Sequence, residues 1–150
     1  MNMNIISMAY TTPAWVNQAK TITRRNWNPN YASRFRKDQI LRAYSSSPLG
    51  GGVPLGEMRL TDVPQFRRTS TASLQEMYEK EGFRFLDMEY QKFTGKKELL
   101  WDATRRWIEA DVWVWEIPFE ITKVYPRVVD KYSHETYVVS CVEKLLRFLP

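Results

Sequence analysis

Hydrophobic positions along the 150-residue chain change period several times, and each change marks an element. Ile5 to Tyr10 reads as a short strand. Thr12 followed by Pro13 predicts a helix start, with Thr12 as the cap and proline at the first helical position, and a brief helix runs through Val16. An Asn/Pro-rich loop is expected over 26–33, a strand over Gln39 to Tyr44, and a flexible loop from Ser45 to Pro54 carrying Gly50 to Gly52. From Leu55 to Val63 the pattern alternates, with Met58 and Leu60 on one face and Glu57, Arg59 and Thr61 on the other, as in a half-exposed strand. Ser70 or Thr71 is placed to cap a helix over Ser73 to Glu81, in which Leu74, Met77 and Tyr78 share a face, and Gly82 stops it. Helical spacing resumes from Leu86 to Phe93, ending at Gly95, and again from Glu98 to Ala110. Asp111 to Ile121 then switches to period two, setting Trp113, Trp115, Ile117, Phe119 and Ile121 on one face, with a bulge or an edge expected at Pro118. Val138, Val142, Leu145 and Leu149 repeat at helical spacing from about His134. The sum is an α+β chain, long enough for one domain with a genuine core.

Composition supports a folded domain, at 43% hydrophobic and 14% aromatic residues, with more Trp and Tyr than such a core requires. Charge sharpens the picture. Of the net +5, the first 45 residues hold seven cations (Lys20, Arg24, Arg25, Arg34, Arg36, Lys37 and Arg42) against Asp38 alone, so the remainder is close to neutral. Such a region attracts phosphate, and Trp15, Trp27, Tyr31, Phe35 and Tyr44 lie among its charges, as in surfaces on which single-stranded bases stack. Trp15 and Tyr44 read better as core. Cys141 and His134 are the only residues of their kinds. That argues against a zinc site, an internal disulfide or a Cys–His nucleophile pair, and leaves Cys141 as a buried, inert thiol. Gly50 to Gly52 lack the Lys-Ser/Thr that completes a phosphate-binding P-loop. Met1 to Met8 contain neither charge nor a long apolar run, so the expected location is cytoplasmic, with no membrane span.

The densest chemistry lies in Gln18-Ala19-Lys20-Thr21-Ile22-Thr23-Arg24-Arg25. In an extended segment Lys20, Ile22 and Arg24 point one way and Thr21, Thr23 and Arg25 the other, so Lys20 and Thr23 meet only across a turn. Two readings stay open: a solvated basic strand end, and a site for a polyanionic or nucleotide ligand in which a neutral amine draws a proton from the threonine hydroxyl.

These segments resemble an ASCH domain, a member of the PUA-like superfamily of small β-barrels. Lys20, Thr23 and Arg25 fill the last three fixed positions of the family's spaced Gly-x-Lys-x-x-Thr-x-Arg, while Gln18 stands where the family has glycine. The resemblance continues through Thr11-Thr12-Pro13, the strand at Gly56 to Val63, the Glu81-Gly82-Phe83 triplet and the aromatic strand around Trp113 to Phe119. It spans residues 5–121, and 122–150 read as a helical extension. It implies a barrel with flanking helices, a cleft lined by the signature, and association with RNA, single-stranded nucleic acid or a modified nucleoside, without a cofactor. In amide hydrolases of this kind that act on N4-acetylcytidine, the proposed catalytic group matches Lys20, Thr23 and Glu81. Ribonuclease activity is a further possibility for the family, but the chain lacks a His pair or an acidic metal cluster. Read from the residues, Arg24, Arg25, Trp27, Arg36 and Lys37 are the candidate ligand-binding set. An acid in the last turn of its helix opposes the dipole, a cost that a facing cation would offset, which places Glu81 toward Lys20. Monomer and homodimer both remain open.

Overall fold

The computed structural model describes residues 4–149, so the start of the Met1 to Met8 segment lies outside it. Among the described residues, six strands form a curled, half-barrel sheet and seven α-helices gather against it. The strands are β1 (Asn4–Ser7), β2 (Ile22–Arg25), β3 (Ile40–Tyr44), β4 (Pro54–Leu60), β5 (Gln65–Arg68) and β6 (Trp113–Val124). Their order is β1-β3-β4-β6-β2, with β5 also paired to β6. β1 and β3 run parallel, and every other pairing is antiparallel. The helices are α1 (Thr12–Val16), α2 (Pro29–Ala32), α3 (Leu74–Lys80), α4 (Phe83–Thr94), α5 (Leu99–Ala110), α6 (Val128–Tyr132) and α7 (Glu135–Phe148).

Apolar side chains divide between two cores. Ile6, Trp15, Leu41, Met58, Leu60, Ile117 and Phe119 fill the concave side of the sheet. Tyr78, Phe83, Leu86, Leu100, Val138 and Val142 join α3, α4, α5 and α7 into a second layer. Alternation in β4 holds, with Met58 and Leu60 both fully buried. The C-terminal helix forms as its spacing predicts, with His134 at the N-cap, and it packs on α4 and α5.

Several expectations are corrected. β1 ends at Ser7, and 9–11 form a 3-10 turn. Thr11 is the cap of α1, and Thr12 is its first residue. The 26–33 loop contains α2, for which Asn28 accepts from the Asn30 amide and Pro29 opens the helix. Ser73, not Ser70 or Thr71, caps α3 by accepting from the Glu76 amide at 3.1 Å. α4 begins three residues before Leu86, at Phe83. β5 went unpredicted, as its sequence Gln-Phe-Arg-Arg is short and mostly polar. Trp113 does share a face with Trp115, both rings packing on Phe66, but it is 52% exposed there, while Val114 on the other face is buried. Pro118 lies in a central strand, opposite Ile22. Its carbonyl accepts from the Thr61 amide at 3.1 Å. A strand residue directs N and O to the same edge, so the missing N–H falls where β4 has ended and β5 has not begun. The register shift in β6 lies farther along, opposite Glu57 and Met58.

Candidate functional site

Three local structures bring the signature segment to one place. α1 ends in a paired-turn cap: the Ala19 amide donates to the Ala14 carbonyl at 2.8 Å and the Gln18 amide to Trp15 at 2.9 Å. Gln18 takes φ +58 to do so, the left-handed conformation usual for glycine there. The chain then turns through Lys20 and Thr21 before β2 starts. The Thr21 amide donates to the Lys80 carbonyl at 2.9 Å, tying this turn to the end of α3. Gly82 completes the junction at φ +86, and a Cβ there would lie 2.5 Å from that of Ala14 and 3.3 Å from that of Lys20. Only glycine lets the α3–α4 junction approach α1 and the Lys20 turn so closely.

Glu81 thereby faces Lys20 across 61 residues of sequence. Lys20 Nζ donates to Glu81 Oε2 at 2.8 Å and to the Glu81 carbonyl at 3.0 Å. Arg24 Nη1 donates to Glu81 Oε1 at 3.0 Å, and Arg24 Nη2 pairs with Glu116 at 3.0 Å. These side chains are almost wholly withdrawn from solvent, Glu116 being the most open at 13%. Thr23 is buried as well, and its Oγ1 accepts from Arg25 Nε at 3.1 Å. Arg25 also donates to the Ser7 carbonyl. The Arg25 bond uses a lone pair of the threonine oxygen, leaving the O–H proton for another acceptor.

Two buried cations, Lys20 and Arg24, and the half-buried Arg25 face two carboxylates. Burial dominates the ionisation of Lys20 and pulls its pKa below the ordinary lysine value; Glu81 opposes the shift, and Arg25 and Arg24 reinforce it. Burial likewise pulls Arg25 down. With Lys20 neutral the cluster is balanced, and with Lys20 charged it carries one excess positive charge.

The cluster forms one wall of a cleft of about 200 Å³. Lys20, Thr23, Arg24, Arg25 and Glu81 all reach it, so the expected convergence of ammonium, hydroxyl and carboxylate is present. Lys20 achieves this because it precedes β2, outside the alternation of that strand. Tyr10, Phe83 and Trp107 supply apolar walls, and Leu145 and Leu149, at the end of α7, close the far side. Trp27 is elsewhere, stacked on Phe35 at 4.6 Å and edge-on to Tyr31. Arg36 and Lys37 are exposed and do not line the cleft. The predicted basic surface is accordingly thinner than its sequence, since the Lys20 and Arg24 side chains are inside the protein and Arg25 is half-buried.

Glu116 and the C-terminal leucines were not anticipated. Glu116 pairs with Arg24 through the β2–β6 register, which no local pattern discloses. Among the described residues no group of three His, Cys, Asp or Glu could hold a metal ion, and no helix is long and apolar enough to cross a membrane. Cys141 is buried, its thiol pushed up to about 11 by desolvation.

No family model matches the chain, and no curated protein does. Among solved structures, the crystal structure of protein EF3133 from Enterococcus faecalis V583, assigned to family DUF984, is similar in fold. The TM-score is 0.52 at 14% identity, over 85% of each chain. This likeness supports the half-barrel with flanking helices as a known architecture.

Proposed function

We propose that this chain is an ASCH-type domain whose cleft binds one modified pyrimidine base, carried on a nucleoside, a nucleotide or an unpaired RNA residue. The observation that carries this reading is the 2.8 Å contact of Lys20 with Glu81 on the wall of a cleft that Thr23 and Arg25 share. At about 200 Å³ the cleft is below the usual range for drug-sized ligands, roughly 300–1,000 Å³, and suits a base rather than a strand. Buried Lys and Arg donors match base carbonyl and ring-nitrogen acceptors, and Glu81 matches an exocyclic amino group.

Hydrolysis of an N-acyl group on that base is the second reading, favoured by the depressed pKa of Lys20 beside an available hydroxyl. Neutral Lys20 takes the proton of Thr23, and the threonine oxygen attacks the acyl carbonyl. The lysine proton passes to the departing amine, and water then cleaves the acyl-threonine ester. Glu81 holds the lysine, and Arg25 steadies the oxyanion.

Calorimetric titration with N4-acetylcytidine, with chromatographic detection of cytidine, tests both. Wild type is expected to bind and to release cytidine, while Lys20→Met and Thr23→Val lose turnover by at least about a hundredfold. The neutral fraction of Lys20 grows with pH, so the rate should rise with pH and level off below the pH at which an ordinary lysine would titrate. Turnover that survives both substitutions would remove the catalytic roles. Failure to bind the nucleoside, or a short RNA carrying it, would remove the base-binding reading.

A further inference from the structure

Beside the cleft lies a larger cavity, of about 550 Å³, between the 45–51 loop and α7. Ala9 and Tyr10 line both spaces, so the second begins where the first ends. Its walls carry Lys131, Lys144, Ser46, Ser140, Tyr137 and the backbone of Gly51, and no Asp or Glu among the described residues. The two lysines differ from Lys20 of the cleft in one decisive respect. Lys131 Nζ lies 5.3 Å over the ring of Tyr132 and Lys144 Nζ lies 5.6 Å over that of Tyr10, and neither makes an ion pair among the described residues. Glu135 and Glu143 share a neighbouring depression with Lys144 on the outer side of α7, also without pairing to it. Burial keeps the Tyr137 phenol and the Cys141 thiol protonated at neutral pH, so they do not cancel the positive charge. Two ammonium groups without an ion pair, the Ser46 and Ser140 hydroxyls and the neutral Tyr137 phenol around one concave space make a chemistry that fits a phosphate dianion.

We propose that this second cavity is a phosphate site and that the ligand of the cleft is phosphorylated, its base beside Lys20 and its sugar passing Tyr10 toward Lys131 and Lys144. The placement of the base rests on the proposed function; the phosphate site does not.

Pyrophosphate, N4-acetylcytidine and N4-acetylcytidine 5′-monophosphate, titrated calorimetrically into wild type and into Lys131→Met/Lys144→Met, test the two parts separately. Pyrophosphate is expected to bind wild type and to weaken at least about tenfold in the double variant, the loss typical of removing charged hydrogen bonds. Lys131→Arg/Lys144→Arg should restore it. Lys92→Met, which removes an exposed cation on α4, should leave it unchanged. The monophosphate should bind about tenfold or more tightly than the nucleoside, a gap that closes in the double Met variant. Pyrophosphate binding indifferent to both lysines would overturn the phosphate site; nucleoside and monophosphate binding wild type equally well would overturn the claim that the ligand of the cleft is phosphorylated. Lysine-dependent pyrophosphate binding with no response to nucleoside or monophosphate supports the phosphate site and rejects the base-binding reading. A trinucleotide binding as well as the monophosphate would identify the source as an RNA chain; failure of the trinucleotide alone would identify a free nucleotide.

Discussion

Two buried carboxylates six residues apart, Glu81 and Asp87, sit in opposite chemical settings. Glu81 ends α3 and meets cations, Lys20 and Arg24, on the wall of a cleft. Asp87, in α4, meets no cation at hydrogen-bonding distance. It accepts from the Tyr78 hydroxyl at 2.7 Å and from the Leu100 and Trp101 amides at 2.9 and 3.0 Å. Asp87 thus caps α5 from a neighbouring helix, a task left to it because Glu98, at the N-cap, makes no side-chain capping bond. Burial pushes the Asp87 carboxyl up, only partly offset by those bonds. It lines neither the cleft nor the adjoining cavity. Burial of an acid is therefore a poor marker of a site by itself. Excess positive charge beside open volume is what separates the Glu81 region from the Asp87 region.

Removing each acid sharpens the contrast. Glu81→Gln strands Lys20 and one arm of Arg24 away from water, and breaking a buried pair in this way costs roughly 3–5 kcal/mol. Urea denaturation should report that loss, together with loss of nucleoside binding. Asp87→Ala removes a cap and leaves two amides and a phenol without their acceptor, at roughly 1–3 kcal/mol, while nucleoside affinity stays near wild type. Equal stability losses, or a binding defect in Asp87→Ala alone, would dissolve the distinction.

Much of this arrangement is legible in the sequence, and the gaps have physical causes. The alternation of Met58 and Leu60, the spacing of Val138, Val142 and Leu145, and the stop at Gly82 are local signals, and the elements follow them. The convergence of Lys20, Thr23 and Glu81 came from the resemblance, since no periodicity links residues so far apart. Glu116 depends on a cross-strand register that two separate segments set together. Trp113 keeps the face it shares with Trp115, since Phe66 packs on both rings, but at the first position of β6 that face is open to solvent, which periodicity does not disclose. Asn28 before Pro29 is the same kind of signal that pointed to α1 in Thr12-Pro13, where it placed the cap one residue late, yet α2 falls in a segment read as a loop. In a four-residue helix no apolar periodicity accompanies the cap.

The smallest expected effect concerns the one departure from the signature, Gln18. At φ +58 a residue with a Cβ carries a penalty that glycine does not, of order 1 kcal/mol. The two amide bonds of the α1 cap hold it there, because releasing Gln18 would give up both Ala19 to Ala14 and Gln18 to Trp15. Gln18→Gly should therefore stabilise the protein, by less than about 1 kcal/mol once the greater freedom of glycine in the unfolded chain is subtracted. The same turn delivers Lys20 to Glu81, so a rise in the urea midpoint with unchanged nucleoside affinity is the expected result. Destabilisation would mean that the glutamine side chain contributes more than its backbone costs. Weakened binding at higher stability would mean instead that the strained turn sets the position of Lys20, and that the fold supports the glutamine for the sake of the site.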